Sequence, residues 1–355
     1  MSRIVHGGGV ARAARELGLA PSRILDFSAS INPLGMPPEV REAVLASLEE
    51  AVHYPEIDAA SLRQDLARHH GLPEACLLPA SGSTELIYLI PRVLKPRRAL
   101  VVAPAFGEYA RALELAGGIP DRFELRPENG FALDPEALLA AMSPETDLLI
   151  LANPGNPTGL GIDPELLRYL ARKLSGRARL MLDEAFVDFC PQRSLTSEVE
   201  KHPELLVLRS MTKFYAVPGL RMGYVAACAP LASRLAAAMQ PWSLSTPALF
   251  AARACLPLEG YRVRTLEAIG ALRSELSEGL AALGCFVLPG EANYLLLRLP
   301  GGRLGSEVAA RLYHRGILVR TCSDFLPLDD GWLRVAVRGS EANARLLAAL
   351  GEGLG

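Results

Sequence analysis

The chain has 355 residues, half of them hydrophobic, with 37 basic side chains against 39 acidic ones and a formal net charge of -2. A balance so close to zero offers no electrostatic reason to expect nucleic acid or an anionic membrane as a partner, and no apolar run reaches the ~18 residues of a membrane span. The length suits one large domain, or a large and a small one.

A Gly-rich start, His6-Gly7-Gly8-Gly9, precedes a helical pattern over 10–19. A short alternating stretch over 25–33 ends in a turn, and a second helix is expected over 38–51. The middle of the chain then alternates. Short apolar strands are expected at 99–103, 148–152, 180–183, 205–210 and 224–227. Periodic helical segments lie between them, among them 61–70, 84–93, 106–115 and 164–174. Apolar strands spaced by helices indicate a mostly parallel sheet buried on both faces. After about 247 the pattern changes to a long helix through 283. Strands follow at 285–288, 294–298, 317–320 and 333–337, with a helix at 305–315. This is the pattern of a smaller α+β domain, and the N-terminal segment is its natural partner. The expected division is 46–250 for the large domain, with 1–45 and 251–355 forming a discontinuous small one. The six cysteines contain no CxxC pair, so metal-ligand spacing is absent and no metal is expected. Scattered single cysteines, and an N-terminus without the apolar core of a secretory signal, suit the cytoplasm.

The chemistry begins with lysine, of which there are four. Lys95, Lys173 and Lys201 sit in polar turns or at the end of an amphipathic helix. Lys213 follows an apolar strand, in Leu208-Arg209-Ser210-Met211-Thr212-Lys213. There, α/β sheets place ligands, and burial makes an amine nucleophilic. A purely structural lysine is an equal reading of that pattern. Asp183 closes another apolar strand in Leu180-Met181-Leu182-Asp183-Glu184-Ala185-Phe186. A carboxylate at a strand end can cap a helix, bind a metal or pair with a cation. Asn153-Pro154-Gly155-Asn156-Pro157-Thr158-Gly159 is a rigid turn-rich loop, either a plain connection or a way to present the Asn156 amide. Ser81-Gly82-Ser83-Thr84 opens a helix, where free N–H groups and hydroxyls suit an anion as well as a simple cap. Arg221, in Pro218-Gly219-Leu220-Arg221-Met222-Gly223, can supply the counter-charge.

Taken together and in this order, these motifs resemble the fold-type I enzymes that use pyridoxal 5′-phosphate (PLP), the aspartate aminotransferase superfamily. The resemblance covers nearly the whole chain. It implies an α/β fold, with a large domain of mostly parallel sheet flanked by helices and a smaller α+β domain. It implies Lys213 as the Schiff-base lysine, Asp183 as partner of the ring nitrogen and Asn156 on the ring oxygen. Ser83, Thr84, Ser210 and Arg221 would hold the phosphate, with Phe106 stacked on one ring face and Ala185 packed on the other. Tyr54 matches a tyrosine that in related enzymes reaches the neighbouring subunit's cofactor, which implies a homodimer with composite sites. Phe186 departs from the pattern, because many members carry tyrosine there and donate its hydroxyl to the ring oxygen.

Three N-terminal motifs, His6-Gly7-Gly8, Asp26-Phe27-Ser28-Ala29-Ser30-Ile31-Asn32-Pro33-Leu34-Gly35 and Tyr54-Pro55, resemble the branches that act on small phosphorylated amino acids and amines. That resemblance implies decarboxylation of a phosphorylated amino acid, with transamination of a related phosphorylated amine as the second reading. It also implies a substrate-anion pocket made of His6, Asn32, Arg320 and Arg334. Arginine suits such a pocket because its planar fork gives paired bonds to phosphate or carboxylate. A non-catalytic binding module is the third reading, and the retention of Lys213, Asp183, Asn156 and Arg221 weighs against it.

Overall fold

The computed structural model of the protein describes residues 7–354, so His6 lies outside the described residues. A short strand, β1 (Leu25–Asp26), comes first. The next seven are β2 (Leu77–Ala80), β3 (Arg98–Ala103), β4 (Ile119–Glu124), β5 (Thr146–Ala152), β6 (Arg179–Glu184), β7 (Leu205–Ser210) and β8 (Gly223–Ala227). They form one sheet in the order β2-β8-β7-β6-β5-β3-β4. Only β8 runs antiparallel to its neighbours.

Successive strand residues alternate between two apolar layers. Leu149, Leu151, Leu180, Leu182, Leu205 and Val207 pack into one. Leu148, Ile150, Met181, Leu206 and Leu208 pack into the other. A sheet covered on both faces needs apolar side chains at every position, which is why these strands read as continuous apolar runs.

The remaining strands are β9 (Phe286–Val287), β10 (Tyr294–Arg298), β11 (Ile317–Leu318), β12 (Arg320–Thr321) and β13 (Trp332–Ala336). Four of them form an antiparallel sheet in the order β12-β13-β10-β9. β11 instead pairs in parallel with β1, Leu25 opposite Ile317, and so ties the N-terminal segment to the C-terminal third.

Two expectations need correction. The strand expected over 317–320 is split between two sheets at Val319. The long helix expected from 246 to 283 is two helices, Thr246–Cys255 and Glu259–Ala282. Pro257 lies between them, and its missing N–H and bulky ring end the first ladder. The helices Pro38–Glu50 and Thr246–Cys255, where the expected domain boundaries lie, pack on each other. No helix among the described residues is long and apolar enough to cross a membrane. All six cysteines are free, five of them buried.

The topology gathers the chemistry at one edge. The carboxyl ends of β5, β6 and β7 lie side by side, and they lead respectively to Asn156, Asp183 and Lys213. That is where open α/β sheets bind ligands.

Candidate active site

A cavity of about 320 Å³ opens at these strand ends. Lys213, Asp183, Asn156, Arg221, Arg320 and Arg334 all line it. Lys213 Nζ donates to Ser210 Oγ at 2.9 Å and stands 5.7 Å from the centre of the Phe186 ring. Burial brings the pKa of its amine down to about 8; Arg221 and Arg334 add to the fall, while Asp183 opposes it. A useful fraction of the amine is therefore unprotonated, and nucleophilic, near neutral pH.

Asp183 is buried, and both its oxygens are engaged. Oδ1 accepts from the Ala185 N–H at 2.9 Å, and Oδ2 accepts from the Tyr109 hydroxyl at 2.6 Å. Burial raises its pKa, while the Tyr109 and Ala185 hydrogen bonds and the charge of Lys213 favour the ionised form. Side chains alternate along β6, so Glu184 points to the opposite face. There its Oε2 accepts from Ser194 Oγ at 2.6 Å and Thr196 Oγ1 at 2.9 Å, with Arg209 Nη1 at 3.5 Å. Arg209 also binds Asp188. This buried cluster anchors the segment that carries Ala185 and Phe186 to the cavity.

The anion end of the cavity is built from a helix start. Ser83 and Thr84 stand in the first turn of the helix Gly82–Leu94. Gly82 has φ +77°, and a Cβ there would lie 2.7 Å from Arg221 Nη2. Only glycine lets the helix start and the guanidinium come so close. Arg221 itself adopts a left-handed backbone, φ 56°.

Arg334 Nη1 donates to Asn156 Oδ1 at 2.6 Å, and Nη2 donates to the Ser28 carbonyl at 2.8 Å. With its oxygen so used, the Asn156 amide has its N–H₂ group left to donate. Arg320 donates to Asp324 at 2.7 Å, and its guanidinium lies 4.6 Å from the centre of the Phe325 ring. Phe106 and Ala185 also line the cavity. Ser210 reaches it only through Lys213.

Two expected residues lie elsewhere. Asn32 does not line the cavity. It is 2% exposed, and its Nδ2 is surrounded by the Phe214 carbonyl at 2.7 Å, Tyr261 Oη at 2.8 Å and Thr265 Oγ1 at 3.0 Å. Its Oδ1 accepts from the Leu34 N–H at 3.0 Å. Both ends of the amide are thus bonded within the chain, next to Ile31, which does line the cavity. Tyr54 is 82% exposed and stacks on Trp242 at 4.8 Å, away from its own chain's cavity. Conversely, the sequence reading missed Tyr109. Its only sequence signal was its place one turn after Phe106 in an amphipathic helix.

A parallel-sheet cavity with a nucleophilic lysine, a buried carboxylate and an arginine-lined helix start defines a class of enzyme. The chain belongs to the aminotransferase class I and II family, which matches residues 22–350. It is 41% identical over 349 residues to the threonine-phosphate decarboxylase of Salmonella typhimurium, covering 97% of this chain and 95% of that one. It is 33% identical over 353 residues to histidinol-phosphate aminotransferase 2 of Ralstonia nicotianae, covering 98% and 93%. The solved histidinol-phosphate aminotransferase from Clostridium acetobutylicum superposes with a TM-score of 0.87 at 27% identity, covering 93% of this chain and 99% of that one.

The family's cofactor is PLP, and the residues present fit it. A phosphate suits the cradle that Gly82 leaves open beside Arg221, Ser83 and Thr84. A carbonyl carbon suits the Lys213 amine, and a ring nitrogen suits the Asp183 carboxylate.

Proposed function

We propose that this chain decarboxylates L-threonine O-3-phosphate to (R)-1-amino-2-propanol O-phosphate and CO2, a step of cobalamin biosynthesis, with PLP on Lys213. The observation that carries this reading is the set of three guanidiniums, Arg221, Arg320 and Arg334, on one cavity. The reaction brings three anionic groups to it: the cofactor phosphate and the substrate's carboxylate and phosphate. The greater identity to a decarboxylase than to an aminotransferase points the same way.

When bound, PLP supplies a conjugated ring that accepts the electron pair left on Cα. The protein does the rest. Ser83, Thr84 and Arg221 grip the cofactor phosphate, and Asp183 keeps a proton on the ring nitrogen. Arg320 and Arg334 take the two acid groups of the substrate and so fix the rotation about the N–Cα bond. That rotation decides whether the bond to the carboxylate or the bond to hydrogen breaks. Lys213 Nζ returns a proton to Cα once CO2 has left, so a proton replaces the carboxylate and no oxidant is consumed.

A homodimer completes the reading. Val52, Tyr54 and Ile57 are exposed, beside Leu45 and Leu48 on the preceding helix. Apolar surface of this kind marks an interaction site, and Tyr54 there can reach the partner's cavity. The free cysteines suit the cytoplasm.

The test is a product assay on holoenzyme with L-threonine O-3-phosphate and no oxo acid. Release of CO2 and aminopropanol phosphate at catalytic rates supports the proposal. Glutamate formed from histidinol phosphate and 2-oxoglutarate, without CO2 release from threonine phosphate, makes the chain an aminotransferase instead.

A further inference from the structure

Tyr294 begins β10, fully buried, and three contacts of the site converge on it. The Arg334 guanidinium lies 5.1 Å from the centre of its ring. The Phe186 ring meets it edge-on at 4.9 Å, with 80° between the planes. Its hydroxyl donates to the Gly155 carbonyl at 2.7 Å. Gly155 precedes Asn156, and Asn156 Oδ1 accepts from Arg334 Nη1. The contacts therefore close a ring: Tyr294 to Gly155, Asn156 to Arg334, and Arg334 back to the face of Tyr294. The neighbouring backbone reinforces it, for the Glu291 N–H donates to the Gly159 carbonyl at 2.7 Å. Arg334 has Nη1 and Nη2 engaged by Asn156 and Ser28, while its buried Nε has no partner among the described residues.

We infer that Tyr294 is a positioning residue for the substrate's acid group: its ring seats Arg334 while its hydroxyl tethers the Asn156 loop to the same side chain. This rests on the reading of Arg334 as a substrate-anion site. A phenylalanine would fill the same core volume and keep the cation–π contact, so the hydroxyl is the part that core packing alone does not require. It locks the loop 153–159 to the sheet that carries Arg334. An acid group bound at Arg334 thus keeps a constant relation to Asn156.

The experiment compares the holoenzyme with Tyr294→Phe, Tyr294→Leu, Arg334→Lys and Asn156→Ala. The probe is inorganic phosphate, titrated calorimetrically. PLP already fills the cofactor-phosphate site, so phosphate reports the substrate site whichever reaction the enzyme runs. Removing one neutral hydrogen bond gives an expected three- to tenfold weaker binding for Tyr294→Phe, on the order of a single such bond. Tyr294→Leu, which also removes the ring face, is expected to weaken binding further. In the Asn156→Ala background, Tyr294→Phe is expected to have less than a twofold effect, because the tether then holds nothing that reads the anion. An equal loss in both backgrounds would mean that the hydroxyl acts independently of Asn156 and would overturn the inference. If Arg334→Lys weakens phosphate binding but Tyr294→Phe matches the wild type, the inference is overturned and the Arg334 reading stands. If Arg334→Lys itself leaves binding unchanged, the Arg334 reading fails and takes this inference with it.

Discussion

Tyr109→Phe removes one oxygen atom from a buried place. That oxygen donates to Asp183 Oδ2 at 2.6 Å, and the carboxylate's other oxygen is already held by the Ala185 N–H. A hydrogen bond to a charged group contributes about 1.5–3 kcal/mol. Asp183 keeps its backbone partner, so the lower part of that range applies, about 1.5–2 kcal/mol, or roughly 10- to 30-fold. The phenol donates to the ionised form, so losing it pushes the Asp183 pKa further up. PLP affinity, measured by titrating apoprotein fluorescence, is expected to fall by that factor. The acid limb of the kcat/KM profile is expected to move to higher pH, so the variant's deficit grows as pH falls. The phenylalanine ring still meets Phe106 edge-on, which keeps packing changes out of the comparison. A variant that binds PLP within twofold of wild type, with an unmoved acid limb, would refute the assignment of Tyr109 as the group that holds Asp183 ionised.

Three further predictions rest on other parts of the site. Lys213→Ala is expected to abolish borohydride-stable attachment of PLP. In the wild type, the rate of PLP uptake by apoprotein should rise as pH passes through about 8, where the buried amine loses its proton, and level off above; stopped-flow absorbance across that range checks this, and a flat profile contradicts it. Gly82→Ala places a Cβ 2.7 Å from Arg221 Nη2 at φ +77°, which costs about 1 kcal/mol or more in backbone strain. It should lower the Tm by about 1–2 °C for each kcal/mol lost and weaken PLP binding, and melts with and without PLP separate the two effects. Arg209→Met leaves the buried Glu184 and the partly buried Asp188 without their cation, and breaking a buried pair costs about 3–5 kcal/mol. Urea unfolding should show that loss at neutral pH and a smaller one in acid, where Glu184 is protonated in both proteins; a loss below about 1 kcal/mol would mean that the hydroxyls of Ser194 and Thr196 carry the cluster.

What could be read from the chain follows how local the physics is. The inner strands announced themselves because each residue must be apolar when a sheet is covered on both faces. The two strands missed, β2 and β4, are the two edges of that sheet. β2 carries Pro79, which edge strands tolerate, and β4 reads Ile-Pro-Asp-Arg-Phe-Glu with several exposed positions. Lys213, Asp183 and Asn156 were legible because each sits at or just past the end of a strand, so the topology alone delivers them to one edge. Asn32 and Tyr109 are the opposite case. The groups that surround the Asn32 amide nitrogen are 182 to 233 residues away in the chain, and Tyr109 meets Asp183 across 74 residues. No periodicity encodes such pairs. A buried asparagine goes to whatever donors and acceptors tertiary packing brings to it, since leaving its amide unpaired costs more than any ligand contact made only part of the time would return. Sequence position near a motif therefore says which residues arrive at the cavity. Which of them still has a free hydrogen-bonding group when it arrives is decided by the rest of the fold, and that is the property a substrate meets.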